Sequence, residues 1–114
     1  MRLLNAQAAW AGDADRTISG GMACDVMSLS MAHGCRDMAW VCARADMNAL
    51  AVAAMTQAAC LVLVQRSRVD ERLIDRARRE RINVLMTSMT AFEAVGRMYA
   101  AGVRPAERRS GGAV

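Results

Sequence analysis

The run Cys60-Leu61-Val62-Leu63-Val64 constrains this chain more than any other stretch. Unbroken apolar residues rich in leucine and valine read as a strand buried on both faces. Such a strand belongs in a parallel sheet, where crossover helices cover both sides. Met38-Ala39-Trp40-Val41-Cys42 reads the same way, and residues 82–86 form the next strand. Helical patterns lie between and after these runs. Residues 47–58 are alanine-rich, with Asp46 or Asn48 as the cap and Leu50, Ala51, Ala54 and Ala58 as the buried face. Residues 69–81 carry an apolar stripe of Val69, Leu73 and Ala77, with Ile74 beside it. Asp70 and Glu71 open that helix, and Arg78, Arg79 and Arg81 close it, matching the helix macrodipole. Thr90-Ala91-Phe92-Glu93 is a capping box. It opens a helix with Phe92, Val95, Gly96 and Tyr99 on one face, ended by Gly102. Strand and helix thus alternate from Met38 onward. The prediction is an α/β fold: a mainly parallel sheet, right-handed crossovers and packed helices.

Residues 47–64 carry no charge and approach the length of a membrane span. Asn48, Thr56 and Gln57 interrupt them, and their character changes from alanine-rich to β-rich. A helix feeding a buried strand accounts for that change, so no membrane span is expected. The 114 residues suit one domain, and a hydrophobic content of 54 % supports a core. Aromatics are only 4 %, so Ala, Val, Leu and Met must build it, the ten methionines filling irregular gaps. All basic side chains are arginines, and eleven acids are interspersed among them, leaving a net charge of +4. No single-sign field of the kind that captures nucleic acid results. The arginines of residues 69–81 alternate with Asp70, Glu71, Asp75 and Glu80 and read as a solvated helix face. No secretory signal is apparent after Arg2, so a reducing cytoplasm with free thiols is expected.

The N-terminal third is less regular. Gly12-Asp13-Ala14-Asp15 has the composition of a turn. Thr17-Ile18-Ser19 reads as a short strand, ended by a corner at Gly20-Gly21. Residues 24–32 are apolar at helical spacing, with Gly34 as a stop. Two readings of the corner stand side by side. In one, the glycine amides approach a phosphate or other anion, Arg16 supplies charge, Ser19 a hydroxyl, and Asp25 and Asn48 further contacts. In the other, the glycines serve a structural turn, Asp15 pairs with Arg16, and Asp25 and Asn48 are helix caps. The pattern is neither a Walker loop nor a dinucleotide fingerprint. Cys24, His33, Cys35 and Cys42 are metal-ligating types, which makes a small metal or iron–sulfur protein the alternative. Their spacing contains no Cys-x-x-Cys pair, so no metal or other cofactor is expected. No acid/base pair or activated nucleophile stands out, so neither an enzyme nor catalytic residues are expected.

Several blocks, taken in order, resemble the DRTGG domain family. Asp15, Arg16, Gly20 and Gly21 match its signature, with Ser19 in place of the threonine. Asp25-Val26-Met27-Ser28 follows, then Gly34, Asp37 and Trp40 leading into a strand. Asn48-Ala49-Leu50-Ala51-Val52-Ala53, Asp70-Glu71, Ile82-Asn83-Val84-Leu85 and Phe92-Glu93 complete the series. The chain departs from the pattern at Met22, often aromatic in the family, and at Cys42, often threonine. The resemblance covers residues 1–103, leaving 104–114, with Pro105 and Gly111-Gly112, as a disordered tail. It implies a fold like the non-catalytic N-terminal domain of HPr kinase. It also implies dimer formation and a regulatory or assembly role beside a metabolic enzyme, such as a hydrogenase or phosphotransacetylase. A nucleotide or other anionic ligand would sit at Arg16, Ser19, Gly20 and Gly21, with Asp25 and Asn48 nearby.

Overall fold

The computed structural model describes residues 6–12, 17–25, 34–44, 46–65 and 68–106. Eight elements follow in order within them: β1 (Gln7–Trp10), β2 (Gly20–Ala23), β3 (Met38–Cys42), α1 (Met47–Met55), β4 (Cys60–Leu63), α2 (Glu71–Glu80), β5 (Asn83–Met86) and α3 (Ala91–Ala100). The five strands form one sheet in the order β1-β5-β4-β3-β2. Strands β2 to β5 run parallel, and β1 closes one edge antiparallel to β5. This is the mainly parallel α/β sheet that the apolar runs predict.

Every residue of β3 and β4 is buried, because helices cover both faces of the sheet. Met38, Trp40, Cys42, Leu61, Leu63 and Val84 point to one side, where they meet Leu50 and Ala53 of α1 and Leu73 and Ala77 of α2. Ala39, Val41, Val62 and Leu85 point to the other, against Ala94 and Met98 of α3. The period of two along each strand thus divides the core into two layers. Buried polar groups are satisfied: Asn83 Nδ2 donates to the Ala59 carbonyl at 3.0 Å, and Trp40 Nε1 to the Cys24 carbonyl at 2.9 Å.

Local signals set the helix boundaries. Asp46, rather than Asn48, caps α1, its Oδ1 accepting from the Ala49 amide at 2.8 Å. Asp70 caps α2 through the Leu73 amide at 2.9 Å, and Thr90 caps α3 through the Glu93 amide at 3.2 Å. Arg81 ends α2 in the left-handed conformation, and the Ile82 amide reaches back to the Ala77 carbonyl at 3.0 Å. The face of α1 differs from the sequence reading. Ala49, Leu50, Val52 and Ala53 are its buried residues, while Ala51 and Ala54 are only half-buried. A helix apolar all round carries little directional signal, so packing against β4 and α2 decides.

Three further expectations change. The strand expected at Thr17-Ile18-Ser19 begins instead at Gly20, so the paired glycines lie inside β2 rather than at a corner after it. Phe92, Val95, Gly96 and Tyr99 do share a face of α3, but that face points away from the core, which takes Ala94 and Met98. Residues 104–106 do not form part of a loose tail: they run alongside β2, with Pro105 bridged to Gly21 in parallel. The helix expected over residues 24–32 falls mostly outside the described residues, as do Arg16, His33 and 107–114.

The two-sided burial of β4 predicts an asymmetric response to truncation. Leu61→Ala should lower the unfolding free energy by about 2–5 kcal/mol. Met55→Ala, at an α1 position 70 % exposed, should change it by no more than about 0.5 kcal/mol. Urea denaturation of the two variants checks the contrast.

Candidate ligand-binding groove

The glycines of β2 exist for close approach. After α3 the chain turns at Gly102, whose φ of 108° suits glycine, and returns along the outer edge of β2. The Gly21 amide donates to the Arg104 carbonyl at 2.9 Å, and the Ala106 amide donates to the Gly21 carbonyl at 2.8 Å. Pro105 sits between these bonds, where its missing N–H costs nothing. A Cβ on Gly20 would lie 2.9 Å from the Ala106 Cα and 3.0 Å from the Arg104 carbonyl oxygen. A Cβ on Gly21 would lie 3.2 Å from Val103 Cγ1. A side chain at Gly20 would hold this strap off the sheet edge, whereas one at Gly21 would press on the Val103 side chain.

Between the strap, β2 and α3 a groove remains, with a cavity of about 110 Å³. Gly21, Val41, Met98 and Val103 form its apolar floor, and Tyr99 and Arg104 stand at its rim. The Arg104 guanidinium carbon lies 4.3 Å from the centre of the Tyr99 ring. One of its nitrogens, Nη1, donates to the Tyr99 carbonyl at 3.1 Å. A guanidinium has five N–H donors, so most of this one remains available to an anion. The volume suits one flat ring rather than a whole nucleotide, whose remainder would lie across open surface. Floor and rim together offer an apolar slot beside a fixed positive charge.

The residues singled out in the sequence do not converge. Gly21 lines the groove with its Cα, but its amide and carbonyl are both taken by the strap. Gly20 is buried beneath the strap. Ser19 holds the start of β3: its Oγ donates to the Arg36 carbonyl at 2.7 Å and its amide to the Asp37 carbonyl at 2.8 Å. Asp25 lies past the other end of β2 and accepts from the Ala43 amide at 2.8 Å. Six residues of extended chain put Ser19 and Asp25 about 20 Å apart. Asn48 is exposed in the first turn of α1. That helix packs on the face of the sheet away from the groove. Sequence reading missed Tyr99, Val103 and Arg104 as one site. The signal was Pro105 three residues after Gly102, which marks a chain reversal after a helix.

Asp25 also stands beside Cys42. Burial pushes the Cys42 thiol up from 9.0 to about 12, against a lowering hydrogen bond from the Arg44 backbone. The Asp25 and Asp46 carboxylates add to the rise. Cys35 lies at the opposite end of β3 from Cys24 and Cys42. Among the described residues no three His, Cys, Asp or Glu side chains converge to hold a metal ion. Nor, among them, is any helix long and apolar enough to cross a membrane.

No family model and no curated protein matches the sequence. The fold does match a solved structure, that of the CBS and DRTGG domains of the regulatory region of Clostridium perfringens pyrophosphatase. The TM-score is 0.66 at 11 % identity, over 96 % of this chain and 49 % of that one. This chain therefore spans about half the length of the regulatory-region chain it matches. That structure is a complex with an activator, diadenosine tetraphosphate. At the level of fold, the match supports a DRTGG-like domain.

Two expected outcomes test the groove and its surroundings. Gly20→Val should displace the strap, so the Gly21 and Ala106 amides should exchange hydrogen faster while those of β4 stay protected, as read by hydrogen–deuterium exchange. Because folding raises the Cys42 pKa, the neutral thiol contributes stability at pH below 9.0, and this is lost as pH rises from there toward about 12. At pH ~8, iodoacetamide should therefore label the half-buried Cys24 and Cys35 well before Cys42, as mapped by peptide mass spectrometry.

Proposed function

We propose that this chain is a non-catalytic regulatory or assembly module that senses a nucleotide or another anionic metabolite. The observation that carries the reading is the fold, which matches a regulatory region bound to a dinucleotide activator over nearly the whole chain. The groove supports it chemically. A nucleobase has the flat apolar shape for the floor of Gly21, Met98 and Val103, and Arg104 is positioned for a phosphate. The glycine amides are engaged by the strap, so the positive charge comes from Arg104 rather than from a backbone cradle. Arg16, four residues before Gly20 in sequence, is proposed as a second cation, and Ser19, Asp25 and Asn48 as framework rather than contacts. The module works as a dimer in the cytoplasm. It transmits occupancy to a metabolic enzyme, with hydrogenase and phosphotransacetylase systems the candidates by family analogy.

A thermal-shift series with AMP, ATP, diadenosine tetraphosphate and inorganic phosphate tests this. Ligand at 100 times its dissociation constant stabilises the native state by about 2.7 kcal/mol, which raises the melting temperature of a domain this size by roughly 10 °C. Arg104→Ala should remove most of the shift. Absence of any shift with all four compounds would remove the sensing role and leave assembly alone.

A further inference from the structure

We infer that the outward face of α3 is the contact through which two copies of this chain pair, antiparallel and about a two-fold axis near Gly96. The inference rests on the dimer reading above and gives it a surface. Phe92 is 90 % exposed, Tyr99 56 % and Val95 39 %, on a helix whose core side is filled by the small Ala94 and by Met98. Aromatic side chains left in water on one stripe mark an interaction site rather than scattered surface apolarity.

Gly96 points the same way. It lies two residues from each buried position, Ala94 and Met98, and so on the outermost line of the helix. A Cβ there would meet nothing within 4 Å. Glycine inside a helix is destabilising relative to alanine, yet nothing in the described chain requires it here. A second helix laid across this line would require it, because glycine lets two backbones approach closely.

The charges choose a second copy over an unrelated apolar partner. Glu93 and Arg97 lie at i,i+4 spacing on one side of the glycine line, with Phe92 and Tyr99 on the other, yet among the described residues neither charged side chain has an ion-pair partner. A two-fold axis near Gly96 sets Glu93 opposite the partner's Arg97 and Arg97 opposite the partner's Glu93. The same operation sets Phe92 beside the partner's Tyr99 and brings the two glycines together. One helix thus carries apolar knobs, a notch to receive them and both signs of charge, the self-complementarity that an isologous contact demands.

Sedimentation equilibrium of the full chain from about 1 µM to about 1 mM measures the association. Phe92→Glu should weaken it about 30-fold or more while circular dichroism stays unchanged, since the side chain is already in water. Gly96→Ala should raise the melting point of the dilute monomer yet weaken the dimer, a sign reversal that a merely local glycine would not produce. Glu93→Arg and Arg97→Glu should each weaken pairing, and the double exchange should restore it. A dimer indifferent to Phe92→Glu overturns the surface and leaves the dimer reading standing. A wild-type monomer throughout the range overturns both. Loss on the single charge exchanges without recovery in the double overturns the antiparallel arrangement.

Discussion

The parallel ladder from β2 to β5 is the constraint that the rest of this structure serves. Its inner strands, β3 and β4, have no solvent-facing side, so their backbone bonds and side chains are satisfied only once helices lie on both faces. The helices are correspondingly modest. Alanines at the α1 and α3 contacts let both sit close on the sheet, and α2 contributes a narrow stripe of Leu73 and Ala77. Methionines fill places where the packing is uneven: Met38 on one face, Met89 and Met98 on the other.

Much of this frame was legible in the sequence, for an identifiable reason. Where a segment must satisfy one strong condition, its residues announce it. The apolar runs at Met38–Cys42 and Cys60–Leu63 admit little else, and the arginine and acid distribution of α2 fixes both its ends and its buried stripe. Where two partners compete for a segment, the sequence is silent about which wins. The α1 helix is apolar all round, so its orientation is settled by β4 and α2 rather than by its own pattern. The stripe of α3 is clear as a stripe, but periodicity does not reveal whether Phe92 and Tyr99 face the core or the solvent.

The candidate groove was the least legible part, because it is made by a contact distant in sequence. The paired glycines advertise close backbone approach, and the natural local inference is a phosphate-binding corner. The approaching backbone is the chain's own, more than eighty residues later, at Arg104 and Ala106. Glycine's permissiveness thus serves an internal partner. The residues that shape the slot, Tyr99 and Arg104, come from the end of a helix and from what reads as a tail. Gly102 and Pro105 signal a reversal of the chain, but a single sequence does not say that the returning segment lands beside residue 21.

One consequence of the strap extends beyond packing. The outer wall of the groove, Val103 to Pro105, belongs to the same segment that Gly21 holds against the sheet. Arg104 joins the two roles: its carbonyl accepts from the Gly21 amide while its guanidinium lies over the Tyr99 ring. One short stretch of backbone thus serves twice, as cover for the open edge of the sheet and as a wall of the slot.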